Sequence, residues 1–170
     1  MTDVISLLIE DNKRCATFVS EDPTVIFGAN DRKTLYKLGE IAQKKIIEEH
    51  MENGVEFINT FGVVITPSVK IGCDTVIYPS TILKGDTTIG CNCQIGPNSL
   101  LEDSTVGDES VVNATQVYQS KIDNKVKIGP FSHVRPNSHL HDKVKVGDFV
   151  EVKNSEIGEG TSLAHLTYIG

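Results

Sequence analysis

The sequence predicts a parallel β-helix, a column of short strands wound into three-sided coils. Two observations carry that prediction. The first is a period: Ile, Leu or Val stands at 65, 71, 77, 83, 89, 95, 101, 106, 112, 117, 122, 128, 134, 140, 146, 152, 157, 163 and 169, in fourteen steps of six residues and four of five. The second is a companion column, since the residue two places before each of these 19 is Val, Thr, Ser or Cys. Where a step shortens to five, this pair is kept and the loss falls in the turn. Six is no multiple of the 3.6-residue helical turn, which excludes an amphipathic helix. One short strand and one turn per six residues fits instead, with three rows closing a coil of about 18 residues. The repeat then makes about six coils, and at about 4.8 Å per coil a column roughly 29 Å tall. Gly follows the aliphatic residue in eight rows, Gly72, Gly90 and Gly147 among them, as a tight corner would need.

The composition agrees. Val and Ile total 35 against 10 Leu, the bias expected where β-branched side chains cover a pleated surface. At 170 residues the chain is long enough to bury a core. A net charge of -7 argues against nucleic acid as a partner, because phosphate backbones demand clustered positive charge. No apolar run approaches the ~18 residues of a membrane span. Val4–Ile9 lacks a basic flank and runs into Glu10 and Asp11, unlike a signal peptide. The four Cys are therefore expected to stay reduced in a cytoplasm.

Three zones follow in order. Residues 1–30 read as a helix from Asp3 to Asn12, a strand from Arg14 to Ser20 and a turn at Asp22-Pro23. This is too little for a core and resembles the tail of an α/β domain. Residues 31–62 are expected to be a connecting helix and a linker. Leu35, Leu38, Ala42 and Ile46 fall on one face, Asp31 or Thr34 can cap the start, and Asn53-Gly54 stops it. Residues 63–170 are the column.

Within the column, Arg135 and Lys153 each follow a row aliphatic and lie 18 residues apart, so one coil stacks one beside the other. Two cations about 4.8 Å apart repel unless an anion lies between them. Spacing alone leaves two readings open, a phosphate clamp and a solvated surface pair. Cys73 and Cys91 are also 18 apart and stacked, while Cys93 occupies an inward position; packing explains them without a metal, and a Cys73–Cys91 disulfide is geometrically conceivable but disfavoured by the expected compartment.

The motifs Ile128-Gly129-Pro130-Phe131, Val134-Arg135-Pro136-Asn137, Val146 through Lys153 (VGDFVEVK) and His165-Leu166-Thr167-Tyr168-Ile169-Gly170 stand in order. Together they resemble the acetyltransferase half of the bifunctional N-acetylglucosamine-1-phosphate uridyltransferase/glucosamine-1-phosphate acetyltransferase family. That family builds this half as a left-handed β-helix of hexapeptide repeats. Gly28-Ala29-Asn30-Asp31-Arg32 resembles the end of the family's uridyltransferase domain. On this resemblance the chain is a middle segment of a longer protein, without the family's Gly-rich nucleotide loop and last coils.

The resemblance implies acetyl transfer from acetyl-CoA to glucosamine 1-phosphate in cell-wall precursor synthesis, followed in the family by uridyl transfer with magnesium to give UDP-N-acetylglucosamine. It implies that His165 is the general base, that Arg135 and Lys153 grip the sugar phosphate, and that Tyr168 donates to it. Glu151 is a secondary candidate for orienting the site. Asn30 matches a magnesium contact that would serve only in a complete uridyltransferase domain. The family's acetyl-CoA contacts lie on coils after Gly170, so weak sugar-phosphate binding and near-background transfer are expected of these 170 residues. A homotrimer is expected, with sites between columns. The alternative is a non-catalytic trimerising β-helix, as in nucleotidyltransferases related to glucose-1-phosphate adenylyltransferase. His133, His139 and His141 raise the question of a zinc site like that of gamma-class carbonic anhydrases. His133 and His139 occupy equivalent places on successive faces, about a third of a turn apart, so solvated turn residues are the expectation.

Overall fold

The computed structural model describes residues 2–21, 25 and 27–170, in two compact units, 1–39 and 40–170. In the first unit, helix α1 spans Thr2–Glu10. The strand expected over Arg14–Ser20 does not form: 14–20 is irregular and almost wholly exposed. A lone strand leaves its backbone groups unpaired, and the described residues of this unit hold no second one. The turn expected at Asp22-Pro23 lies outside the described residues.

Helix α2 spans Arg32–Glu52. Asp31 caps it, its Oδ1 accepting the Thr34 amide at 2.6 Å, and Gly54 ends it at a φ of 87°. Its apolar face is not quite the expected one. Leu35 and Ala42 are exposed, whereas Ile47 is buried and Ile46 packs beside it on the core. Only the last turns of α2 meet the core, and there two consecutive residues share the contact.

The second unit is the column. Its 20 strands form three parallel sheets, each strand pairing with the third one before and after it. The first sheet holds Glu56–Phe57, Val76–Ile77, Gln94–Ile95, Val111–Val112, Lys127–Ile128, Lys145–Val146 and Ser162–Leu163. The second holds Val64–Ile65, Ile82–Lys84, Leu100–Glu102, Gln116–Tyr118, His133–Val134, Glu151–Val152 and Tyr168–Ile169. The third holds Lys70–Ile71, Thr88–Ile89, Thr105–Val106, Lys121–Ile122, His139–Leu140 and Glu156–Ile157. The result is a left-handed β-helix of about seven turns. It is slightly longer than the period indicated, because Glu56–Phe57 adds a row in which Phe replaces the aliphatic residue.

Inside, the aliphatic column stacks on itself: Ile65, Leu83, Leu101, Val117, Val134 and Val152 are fully buried down the second sheet. The small-residue column has its own reason. Buried hydroxyls satisfy carbonyls at the corners; Ser120 Oγ lies 2.7 Å from the Tyr118 carbonyl and 2.8 Å from that of Arg135 in the next coil. The same oxygens accept from the backbone, as Ser110 Oγ does from Val126 N at 3.1 Å. Val, Thr, Ser and Cys are compact enough for the inward corner, and a hydroxyl there leaves little unpaired.

The corners differ from expectation. The left-handed residue is the one three places before the aliphatic, and it is mostly not Gly: Asn92, Lys125, Asn137 and Lys143 have φ of 57°, 59°, 62° and 62°. Several glycines after the aliphatic serve close approach instead. A Cβ on Gly72 would lie 2.6 Å from the Gly90 carbonyl carbon in the next coil. Gly96 and Gly129 do adopt positive φ, 103° and 100°.

The first strand of the second sheet is closed by a side chain. Gln43 Nε2 donates to the Ile65 carbonyl at 2.8 Å, and its Oε1 accepts the Ile65 amide at 2.9 Å. One amide thus makes the pair of bonds a neighbouring strand would make. No helix among the described residues is long and apolar enough to cross a membrane.

Candidate functional site

The outer face of the second sheet gathers most of the predicted site residues. The parallel register aligns Gln116, His133, Glu151 and Tyr168 in one column, beside the inward Val117, Val134, Val152 and Ile169. Arg135 and Lys153 follow Val134 and Val152, and their amides continue the ladder, donating to the Val152 and Ile169 carbonyls at 2.8 Å each. The stacking read from the spacing is present.

An anion for Arg135 is supplied from within. Arg135 Nη1 meets Glu151 Oε1 at 2.8 Å, with both side chains about two-fifths exposed. That hydrogen bond holds the Glu151 carboxyl below the usual carboxylate range, against the desolvation that opposes it; the charges of Arg135, His133 and Lys153 act the same way. Glu151, a secondary candidate in sequence, is thus the centre of this cluster. His133 stands next to it, its ring edge-on to Tyr118 at a centroid distance of 5.6 Å. An open depression lies alongside, lined by Asn98, Ala114, Gln116, Phe131, Ser132 and His133. Phe131 and Phe149 stack at its rim, rings 5.4 Å apart and both exposed.

His165 is exposed in the turn before the Tyr168–Ile169 strand, its carbonyl accepting the Thr167 hydroxyl at 2.9 Å. Tyr168 is 63% exposed. Asn30 is exposed and belongs to the first unit, whereas the second-sheet residues belong to the other. It offers one neutral oxygen. Among the described residues the group of His, Cys, Asp or Glu able to converge on a metal is elsewhere, at Asp123, His139 and His141. Magnesium is held by carboxylates and substrate phosphates, so the neutral amide of Asn30 does not by itself fit it.

The three histidines divide. His133 belongs to the second sheet, but His139 and His141 meet on the third, ring centroids 4.0 Å apart. They are partly buried and bonded to Asp123, not solvated turn residues as the sequence suggested. The missed signal was Asp123, which lies 18 residues before His141 and so one coil away. Cys73 and Cys91 stack as expected, free thiols with sulfurs 3.2 Å apart, and their contact pushes the Cys73 thiol up. Cys93 is fully buried.

Comparison with known proteins agrees with this fold. A model of the bacterial transferase hexapeptide (six repeats) matches residues 68–102. The bifunctional protein GlmU of Acetivibrio thermocellus is 45% identical over 170 residues, all of this chain and 37% of that protein. GlmU of Clostridium acetobutylicum is 41% identical over the same 170 residues, again 37% of its length. The chain therefore spans a little over a third of these relatives. Among solved structures, the acetyltransferase domain of PglB from Neisseria gonorrhoeae superposes with a TM-score of 0.62 at 13% identity, covering 75% of this chain and 64% of that one, a likeness of fold. Over all 170 residues the chain is thus similar to a segment of the bifunctional GlmU proteins, and its fold is that of a hexapeptide-repeat transferase.

Proposed function

We propose that the outer face of the second sheet binds a sugar phosphate, and that it forms the glucosamine 1-phosphate side of an acetyltransferase site fed by acetyl-CoA. The observation that carries this reading is the Arg135–Glu151–Lys153 cluster. Two stacked cations, one of them paired with a carboxylate, leave net positive charge on a chain that is otherwise acidic. A phosphate is a better anion for that place than a monovalent carboxylate. It can take the Arg135 fork bidentately and Lys153 as a point charge. Glu151, released from Arg135, then accepts from a sugar hydroxyl or ammonium, and Tyr168 in the same column donates to the phosphate.

His165, three residues before Tyr168, takes the proton from the substrate amine. The amine nitrogen attacks the thioester carbonyl carbon, the C–N bond forms and the C–S bond breaks. The proton passes from His165 to the departing thiolate, giving N-acetylglucosamine 1-phosphate and free CoA. An imidazole can both accept and return a proton near neutrality. Residues 1–30 are read as the end of a uridyltransferase domain, 31–62 as connection, and 63–170 as acetyltransferase domain, in a cytoplasmic homotrimer.

The test is calorimetric titration of glucosamine 1-phosphate into the chain at low and high salt. Binding should weaken as salt rises, and Arg135→Ala should weaken it about tenfold or more, as expected for a lost charge-assisted bond. Undiminished affinity in Arg135→Ala, or no binding at millimolar sugar phosphate, would overturn the reading in favour of a scaffold. Where CoA release from acetyl-CoA is measurable, His165→Ala should reduce it by about 10²-fold or more.

A further inference from the structure

On the third sheet, away from the phosphate cluster, the column brings together three groups of another kind. Lys121–Ile122 and His139–Leu140 pair in register, so Asp123 and His141 follow facing aliphatics in adjacent coils. His139 Nε2 lies 2.8 Å from Asp123 Oδ2, and His141 Nδ1 lies 3.3 Å from the same oxygen. One ligand atom from each residue falls within 4.8 Å of the others. We propose that Asp123, His139 and His141 bind a divalent first-row transition cation, with zinc as the reference ion.

Three features support a site rather than a chance meeting of side chains. The first is spacing. Tetrahedral zinc with bonds of about 2.0–2.1 Å holds its donor atoms about 3.3 Å apart. Two of the three donor pairs stand at 2.8 and 3.3 Å, and the third lies within 4.8 Å. The second is ligand type, because two imidazoles and one carboxylate select zinc, cobalt, nickel or copper over magnesium and calcium. The third is the support around the ligands. His141 turns its other nitrogen, Nε2, to Glu156 Oε1 at 2.6 Å, from the next coil. A carboxylate behind a ligating imidazole fixes its tautomer and orientation. Likewise Lys121 Nζ holds Asp123 Oδ1 at 3.0 Å, leaving Oδ2 to face the histidines.

Without a cation, His141 has a carboxylate oxygen near each ring nitrogen, Asp123 Oδ2 at Nδ1 and Glu156 Oε1 at Nε2. A metal at Nδ1 leaves the Nε2–H to donate to Glu156. The ion also ties two successive coils together and Glu156 extends the tie to a third, so it acts on the stability of the column and need not take part in acetyl transfer.

The experiment uses the chelator-treated chain carrying Cys73→Ser and Cys91→Ser, so that the paired thiols cannot take up the metal. Zinc is titrated against a competing indicator, and melting is followed with and without zinc. One zinc per chain should bind and raise the melting temperature. His141→Gln should lose at least tenfold in affinity, and Glu156→Gln, which removes no ligand, should lose severalfold. If His141→Gln folds poorly, nitrogen-15 NMR of the parent's imidazoles gives the same answer. Zinc should move the His139 and His141 resonances and leave those of His133 and His165 in place. The proposal is overturned if the folded Cys-to-Ser chain takes up no zinc, if His141→Gln binds as the parent does, or if the His139 and His141 resonances do not move.

Discussion

Replacing Ile128 by Asp tests the inward register at its centre. Ile128 is 2% exposed and stacks in the first sheet between Val112 and Val146, themselves 0% and 3% exposed. The nearby inward hydroxyls are committed: Ser132 Oγ donates to the Gly147 carbonyl and Ser138 Oγ to the Arg135 carbonyl. Each carries one hydrogen, so neither can serve a carboxyl without abandoning a buried acceptor. Losing the isoleucine forfeits about 2–3 kcal/mol of apolar burial, and even an un-ionised carboxyl left unpaired adds about 1–3 kcal/mol. At about 2–4 °C per kcal/mol for a chain of this size, Ile128→Asp should melt roughly 10–20 °C below the parent, while Ile128→Val costs about 0.5–1.5 kcal/mol. Burial raises the pKa of the new carboxyl in the folded state, so the loss is smallest below about pH 4 and grows as pH rises. Thermal unfolding followed by circular dichroism at pH 4 and pH 7 measures both effects. A variant melting within about 2 °C of the parent at pH 7 would show that residue 128 does not face the core.

Gly147→Ala places a methyl group against the Ala164 carbonyl of the next coil, where the obstacle is backbone, and should destabilise by about 1–3 kcal/mol in denaturant titration. Burial pushes the His50 imidazole down, against the charge of Glu49, so the folded chain takes up its proton less readily than the unfolded one. Its contribution is therefore complete above about pH 6.5 and is lost as pH falls below that; a His50→Gln chain should show a flatter stability profile between about pH 5 and 7. The Glu151 carboxyl is depressed by Arg135, so that pair acts above about pH 4.3 and disappears in acid, which Glu151→Gln should abolish in a titration of chemical shifts. Sedimentation at micromolar concentration should give the mass of three chains; the mass of one chain would refute the proposed trimer.

The column was legible because each inward position repeats the same steric demand, which makes the period visible without any knowledge of the turns. The turns were less so. A left-handed corner is occupied here by Lys125, Lys143 and Phe149 as well as by Asn92 and Asn137, so no residue type announces it. Glycine marked a different constraint, the closeness of the next coil at Gly72. Arg135 and Lys153 could be placed together because both sit one residue after an aliphatic. Asp123 and His141 obey the same arithmetic, but the contact joins unlike residue types in neighbouring coils, so no repeat of one residue type marks it. The segment 14–20 failed for a different reason: its strand-like composition is local, whereas a strand needs a partner that no local pattern reveals.

The amide of Gln43 has a consequence for association. A solenoid is a stack of edges, and its first coil presents unpaired backbone groups to whatever strand comes next, including that of another molecule. Because Gln43 already occupies both backbone groups of Ile65, an incoming strand must first displace it and then compete for the same donor and acceptor. A single side chain therefore guards this edge against end-to-end growth into fibres, while the lateral faces of the column remain open for association of a different geometry.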